Sequence, residues 1–316
     1  MYCINLESTD PFFNLAIEEV LLKKSSEEYL ILGINAPSVI IGKHQVAHRE
    51  ADTKFVSKNN IPVIRRISGG GTVYHDEGNL NFTFIRTSEP GKQVDFRKHT
   101  RPVIDFLLSL GVEAKFEEKN DLKVGGLKIS GNAEHVHRNR VLHHGTLLFS
   151  SSLEMLRNSL RKDTSCYSSR AVKSNPSSVM NLDEKLIVFK DIDHFREAMI
   201  NYFLNKFQDT QTFTLSRSEI EEADLLASSK YNTWEWNMAY GPEYSFSGQF
   251  EIAGGKHSCK MFIKDGLITE CEIEGSAEME EISRKLIGCR HMVNDMMKVF
   301  RKGNILQQED DIFKFF

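Results

Sequence analysis

The chain has 316 residues, 40% hydrophobic and 27% charged, with a formal net charge of −4. This length predicts about two domains, and the balance excludes a disordered chain or a globally basic nucleic-acid binder. No apolar run approaches the roughly 18 residues of a membrane span, so no membrane partner is expected.

The opening Met1-Tyr2-Cys3-Ile4-Asn5-Leu6 reads as a strand rather than a secretory signal. No Arg-rich transit segment follows, which predicts a cytoplasmic location. Cys3, Cys166, Cys259, Cys271 and Cys289 are odd in number, widely spaced and never C-x-x-C, as expected of reduced thiols. Asp10-Pro11 predicts a helix start, and Phe13, Ala16, Ile17, Val20 and Leu21 recur with helical spacing, so this helix should be amphipathic and cover a sheet. Val39-Ile40-Ile41, Val63-Ile64 and the alternating segment around Leu80, Phe82 and Phe84 predict strands. Val103, Phe106, Leu107 and Leu110 outline a helix that Gly111 can end, and Ile192, Phe195, Met199, Phe203 and Phe207 outline another. Arg157, Arg161, Lys162, Arg170 and Lys173 form a local basic stretch, read as a solvated face.

A boundary is expected near Gly241-Pro242, after Trp234-Glu235-Trp236-Asn237, whose tryptophans read as packing residues. Beyond it, short strands around Phe250 to Ile252, Lys260 to Ile263 and Ile268 to Ile273, a turn at Asp265-Gly266 and two helical patterns predict a small α+β unit. The expected domains are therefore residues 1–241 and 242–316.

Arg65-Arg66-Ile67-Ser68-Gly69-Gly70-Gly71-Thr72-Val73-Tyr74-His75-Asp76 joins two guanidiniums, a hydroxyl and three glycines between strand-like runs. Residues without a Cβ let backbone N–H groups approach an anion, and arginine pairs with phosphate or carboxylate in two-pronged fashion. The segment reads as a nucleotide or acyl-phosphate cradle, or as a plain glycine-rich hairpin with two solvated arginines. A second constellation runs from Asn120-Asp121-Leu122 through Gly125-Gly126-Leu127-Lys128-Ile129-Ser130-Gly131 to His143-His144-Gly145-Thr146. Here one ammonium and one carboxylate stand among bared backbone. That suits charge developing on a phosphate or an acyl oxyanion, although a lone lysine on a strand is also a common solvated edge charge.

In order along the chain, the segments Asp10-Pro11-Phe12-Phe13-Asn14-Leu15-Ala16-x-Glu18-Glu19, Ile41-Gly42-Lys43-His44-Gln45, RRISGGGTVYHD, Lys128-x-Ser130-Gly131-x-Ala133 and His143-His144-Gly145-Thr146 resemble the lipoate-protein ligase family. That family shares its fold with biotin-protein ligases. The resemblance implies an α+β architecture, a mixed sheet with packed helices, carrying a second, smaller α+β domain. It also implies a two-step reaction. The carboxylate of lipoic acid attacks the α-phosphorus of ATP to give lipoyl-AMP, and the lipoyl group then passes to a lysine of an acceptor. The implied acceptors are lipoyl domains of 2-oxoacid dehydrogenase E2 subunits or the glycine-cleavage H protein.

By the same resemblance, Lys128 is the lysine that touches both the lipoyl carboxyl and the nucleotide phosphate. Arg66 and Ser68 line the acyl and phosphate site, Gly71, Thr72, Val73 and Tyr74 form the nucleotide-binding turn, and His75 and His144 lie near the acid. Asp121 is the implied ligand of Mg2+, an ion satisfied by one carboxylate plus phosphates and waters.

Two departures from the family pattern bear on the first step. Bacterial ligases commonly carry arginines shortly before an Asn-Leu pair, whereas Pro176 and Ser178 stand in Lys173-Ser174-Asn175-Pro176-Ser177-Ser178-Val179-Met180-Asn181-Leu182. That version looks more like lipoyltransferases, which take preformed lipoyl-AMP or carrier-bound lipoyl groups, with Lys173 a point-charge substitute. His135 stands where the family often has arginine. A catalytically weak lipoyl-adenylate-binding protein is the non-enzymatic alternative. A zinc site among His135, His137, His143 and His144 is not expected, because no acid or thiolate completes the spacing. No cysteine lies between Lys128 and Thr146, which disfavours the covalent route of octanoyltransferases.

Overall fold

The computed structural model describes residues 1–316 apart from 90, 92, 93, 118, 253, 304, 305 and 307. The chain folds as two compact units. The first comprises Met1–Lys43, Ile64–Arg157 and Ser174–Asn232; the second comprises His44–Val63, Asn158–Lys173 and Thr233–Phe316. The chain therefore leaves the first unit for the last time a few residues ahead of the expected boundary at 241. The second unit also takes in residues 44–63 and 158–173. Its core includes Val46 and Tyr167 from those segments. Nothing in their local periodicity marks them as belonging with a core built far downstream.

In the first unit, the described residues form an eight-stranded sheet in the order Gln211–Thr212, Tyr2–Asn5, Tyr29–Ile34, Asn79–Thr87, Arg140–Leu148, Leu127–His137, Asp121–Val124 and Lys115–Glu117. Tyr2–Asn5 runs parallel to both its neighbours, and the remaining pairs are antiparallel. The sheet is mixed and helices cover it, as the α+β expectation required. Period-two alternation sends Phe82 and Phe84 to one face, where Val103 and Phe106 of helix Phe96–Ser109 and Phe195, Met199 and Phe203 of helix Ile192–Lys206 complete the core. Each phenylalanine so buried contributes about 2–3 kcal/mol of hydrophobic stabilisation. Both helices begin on aspartate caps: Asp95 accepts from Lys98 N at 3.0 Å and Asp191 from His194 N at 2.8 Å.

Helix Pro11–Lys24 starts as expected, with the Asp10 carboxylate accepting from Phe12 N at 2.8 Å. It is not amphipathic, however, and this corrects the sequence expectation. Ten of its residues, from Pro11 to Leu22, are buried, because helix Arg217–Leu226 and the turn Ala227–Tyr231 cover the side turned away from the sheet. Its polar residues must then find partners inside. Glu19 accepts from Lys23, Lys230 and Tyr231, each at 2.6 Å. Burial alone would raise its pKa, but these donors outweigh it and hold the carboxyl below its ordinary value.

In the second unit, an antiparallel sheet runs in the order Tyr167–Ser168, Tyr244–Ile252, Gly255–Lys264 and Leu267–Glu274. The Asp265-Gly266 turn joins the last two, with φ of 50° and 73°, as a hairpin of mirror-image type requires. Helices Ala277–Leu286 and Val293–Gly303 fold over it on Met279, Ile282, Met296 and Phe300. Trp234 lies under the Arg290 guanidinium, 4.0 Å from the ring centre, and so is a packing residue of this unit. All five cysteines are free thiols. No helix among the described residues is long and apolar enough to cross a membrane.

Candidate active site

Within the first unit the glycine segment links a strand ending at Arg65 to the strand Val73–His75, which pairs with Ser38–Ile41. Neither arginine is solvated: Arg65 is 0% and Arg66 5% exposed, which excludes the plain-hairpin reading. Arg65 donates to the carbonyls of Gly42 and Lys43 at 3.2 and 3.1 Å. Arg66 folds back onto its own loop, donating to Ile40 O at 3.1 Å, Gly69 O at 2.5 Å and Gly71 O at 2.7 Å. Gly70 makes this possible, since its φ is +85° and a Cβ there would lie 3.0 Å from the guanidinium. Burial lowers the Arg66 pKa to about 10 against the opposing pull of Glu18, so it remains a cation at neutral pH.

The fourth Arg66 side-chain bond, from Nε to Ser68 Oγ at 2.9 Å, begins a directed chain. The other ring nitrogen of His144 faces the Glu18 carboxylate, which only accepts, so the neutral ring takes the Ser68 hydroxyl proton at Nε2, at 2.6 Å. His144 then carries its proton on Nδ1 and donates to Glu18 at 3.0 Å, while Thr83 donates to the other Glu18 oxygen. Glu18 and Thr83 thus adjoin the candidate site, a place that the sequence reading did not give them. The available signal was a second carboxylate beside Glu19 on a largely buried helix.

His75 lies near Arg66 and His144 but is oriented from elsewhere. Asn14 donates to Ser8 O at 2.9 Å and to Asn35 Oδ1 at 2.7 Å, so the Asn35 amide nitrogen donates to His75 Nδ1 at 2.9 Å. That leaves the His75 proton on Nε2, which is buried and has no partner among the described residues. Burial, then the Arg66 and His144 charges, lower its pKa to about 3, so this imidazole is a neutral N–H donor.

Lys128 comes from the strand Leu127–His137 and meets Asp121 of the adjoining strand at 2.9 Å. The lysine side chain is 21% exposed and the aspartate 8%, so the pair borders solvent rather than lying in the core. A Cβ at Gly131 would sit 3.0 Å from Lys128 Nζ and 3.8 Å from Val73 Cγ1. Glycine there lets the ammonium pass beside the glycine turn. The segment beyond Ser174 closes the other side. Lys128 N donates to Ser178 O at 2.8 Å, Met180 N donates to Lys128 O at 3.1 Å, and Ser174 Oγ accepts from Thr72 N at 2.8 Å.

The structure thus brings together Arg66, Ser68 and His144, places His75 beside them, and sets Lys128, paired with Asp121, beside Gly131 near Val73. Gly71 and Thr72 adjoin Ser174. Tyr74 is 2% exposed, so it anchors the turn from inside. Lys173, read as a substitute charge, falls in the second unit.

A mixed sheet bearing the strand lysine, with a buried-arginine glycine turn set between strands of a second, three-stranded sheet, suits the class of acyl-activating ligases. Residues 10–204 match the lipoyl protein ligase A/B catalytic domain. Lipoate–protein ligase 1 of Staphylococcus aureus is 36% identical over 293 residues, spanning 91% of this chain and 89% of its own. Two structures from Thermoplasma acidophilum each show 30% identity over 75% of this chain. One is a putative lipoate protein ligase with bound lipoic acid, matched over 98% of its length with a TM-score of 0.64. The other is a bi-partite lipoate protein ligase studied with its E2 lipoyl domain, matched over 95% with a TM-score of 0.65. Lipoate-protein ligase A bound with ATP matches at 31% identity, covering 75% of this chain and 98% of its own, with a TM-score of 0.64. This chain belongs to the lipoate-protein ligase family.

Proposed function

We propose that this enzyme activates lipoate with ATP and transfers the lipoyl group to a lysine of a lipoyl domain. The observation that carries the reading is Lys128, a partly exposed cation held between Asp121, the glycine turn and Gly131. A carboxylate and a triphosphate repel each other, and an ammonium at their junction offsets that repulsion where charge develops on the α-phosphate. In the first step a lipoate oxygen bonds to the α-phosphorus and pyrophosphate leaves. In the second, the acceptor amine bonds to the acyl carbon and AMP leaves.

In this reading the backbone of Gly71, Thr72 and Val73 receives the nucleotide, with Tyr74 as the turn's buried anchor. Arg66 and Ser68 border the acyl-phosphate junction, and the His75 Nε2–H and His144 face lipoate. The bound lipoic acid and ATP of the matched structures support these substrates. Asp121 offers the hard oxygen that Mg2+ takes alongside phosphates, and its charge suits that role while one oxygen holds Lys128. Bound there, the ion would neutralise triphosphate charge. The lipoyl domain of the T. acidophilum system supports an E2 lipoyl domain as acceptor, with the H protein a second candidate of the same kind. A cytoplasmic setting suits such acceptors. Residues 1–241 would hold the catalytic machinery and 242–316 an accessory part.

The segment Ser174 to Leu182 favours the second reading, a transferase. It crosses Thr72 and Lys128 with Asn175, Pro176, Ser177 and Ser178 exposed and no arginine among them. Pyrophosphate release from the purified protein with ATP, Mg2+ and free lipoate decides between them. Release supports the ligase; no release, with transfer from supplied lipoyl-AMP intact, identifies the transferase.

A further inference from the structure

His143 and His144 are consecutive, so strand alternation sends them to opposite faces of the sheet. His144 meets Glu18 of the first helix, whereas His143 turns toward helix Phe96–Ser109. There His143 Nδ1 lies 2.8 Å from Glu134 Oε1, and His99 Nδ1 lies 3.0 Å from the same oxygen. Glu134 and His143 are directly opposite in the antiparallel pair. The three side chains are 2%, 0% and 4% exposed for Glu134, His143 and His99. The other Glu134 oxygen accepts from Asp95 N at 3.1 Å, which holds the carboxylate in place at the helix start.

Proton accounting makes this cluster unusual. The Asn132 amide nitrogen donates to Asn120 O at 2.9 Å and to Ser130 Oγ at 3.2 Å, so its carbonyl oxygen is the atom that faces His143 Nε2 at 3.2 Å. Nε2 must then be the protonated nitrogen. In a neutral imidazole this leaves Nδ1 as a bare lone pair pointed at a carboxylate oxygen 2.8 Å away. Two acceptors at that separation need either a second proton on the ring or a metal cation between them.

We propose that His99, Glu134 and His143 bind a divalent transition-metal ion, with zinc as the reference case. Imidazole nitrogens and a carboxylate are zinc's usual ligands beside thiolate, and each lies about 2.0–2.2 Å from the ion. Two such atoms subtending a right angle or a little more are about 3 Å apart, as Nδ1 and Oε1 are here. All three ligand atoms lie within 4.8 Å of one another. Asn132 performs the task of an outer partner, fixing the His143 tautomer so that Nδ1 is free to ligate. Three protein ligands leave one position to water. The ion would pin the first turns of helix Phe96–Ser109 to the strand pair that carries His144, making the site structural rather than catalytic.

The sequence could not show this set, because its third ligand, His99, lies on a helix far upstream of the other two.

The test uses full-length protein stripped with a chelator, then titrated with Zn2+ or Co2+. One tightly held equivalent, a visible Co2+ absorption of a tetrahedral nitrogen–oxygen site and a Zn2+-dependent rise in melting temperature are expected. Glu134→Gln and His99→Asn should weaken Zn2+ binding by more than about 100-fold, beyond the loss of a mere outer partner, and Asn132→Ala by about 10-fold. Wild-type protein that takes up no stoichiometric metal would overturn the proposal, as would an NMR spectrum showing His143 as an imidazolium in the metal-treated protein. Binding unchanged in Glu134→Gln would place the ion elsewhere, also against it. If a variant fails to fold, the wild-type Co2+ spectrum still decides.

Discussion

Arg66 and Lys128 are the two cations of the candidate site, and they are held in opposite ways. Arg66 is 5% exposed and its guanidinium donates to three carbonyls and a hydroxyl. Lys128 borders solvent, and among the described residues its ammonium partners Asp121. A fixed fork satisfied by backbone oxygens shapes the loop, whereas a point charge on a flexible stem can exchange one partner for a ligand. Similar charge near one site thus suits architecture in one case and, in the proposed mechanism, chemistry in the other.

The largest effect should come from Lys128→Ala. Lipoyl-AMP formation, followed by pyrophosphate release, should fall at least about 10³-fold, in line with loss of a preorganised electrostatic group. The melting temperature should hardly move; near-normal turnover would remove Lys128 from the mechanism. Arg66→Lys should do the reverse in emphasis. One ammonium cannot span Ile40, Gly69 and Gly71, so stability to urea should drop by about 3 kcal/mol, as when a buried charge loses its partners. A stable, poorly active Arg66→Lys protein would instead make Arg66 a direct ligand contact.

Asp121→Asn tests what holds the lysine. Turnover should fall about 10- to 100-fold, and the Mg2+ concentration for half-maximal activity should rise. An unchanged Mg2+ requirement would reduce Asp121 to a partner of Lys128.

His75 gives the smallest effect, confined to acid. Its folded pKa of about 3 lies below the ordinary value of 6.5, so the unfolded chain binds the proton more readily. The stability it contributes is complete above about pH 6.5 and is lost progressively as pH falls toward 3. His75→Gln should therefore show a shallower decline in unfolding free energy between pH 6.5 and 4 than wild type. Parallel declines would mean that His75 is already protonated in the folded protein.

Much of this was legible in local pattern. Asp10, Gly111 and Asp265-Gly266 announced a helix start, a helix stop and a hairpin, because caps and turns depend on a few adjacent residues. The ordered glycine and lysine segments pointed to the family. The first helix was misread because its heptad-like spacing says nothing about a second layer, and Arg217–Leu226 supplies one.

By itself the sequence determined the order of elements, the family and the residue types that meet at the site. Those depend on short-range geometry and on motifs that survive without knowledge of contacts. The tertiary structure alone decided that Arg66 faces inward, that Glu18 orients His144, and that His143 turns its back on His144 to join His99 and Glu134. A hydrogen bond needs its partner within about 3 Å, and partners brought together across a sheet leave no trace in the spacing of either one.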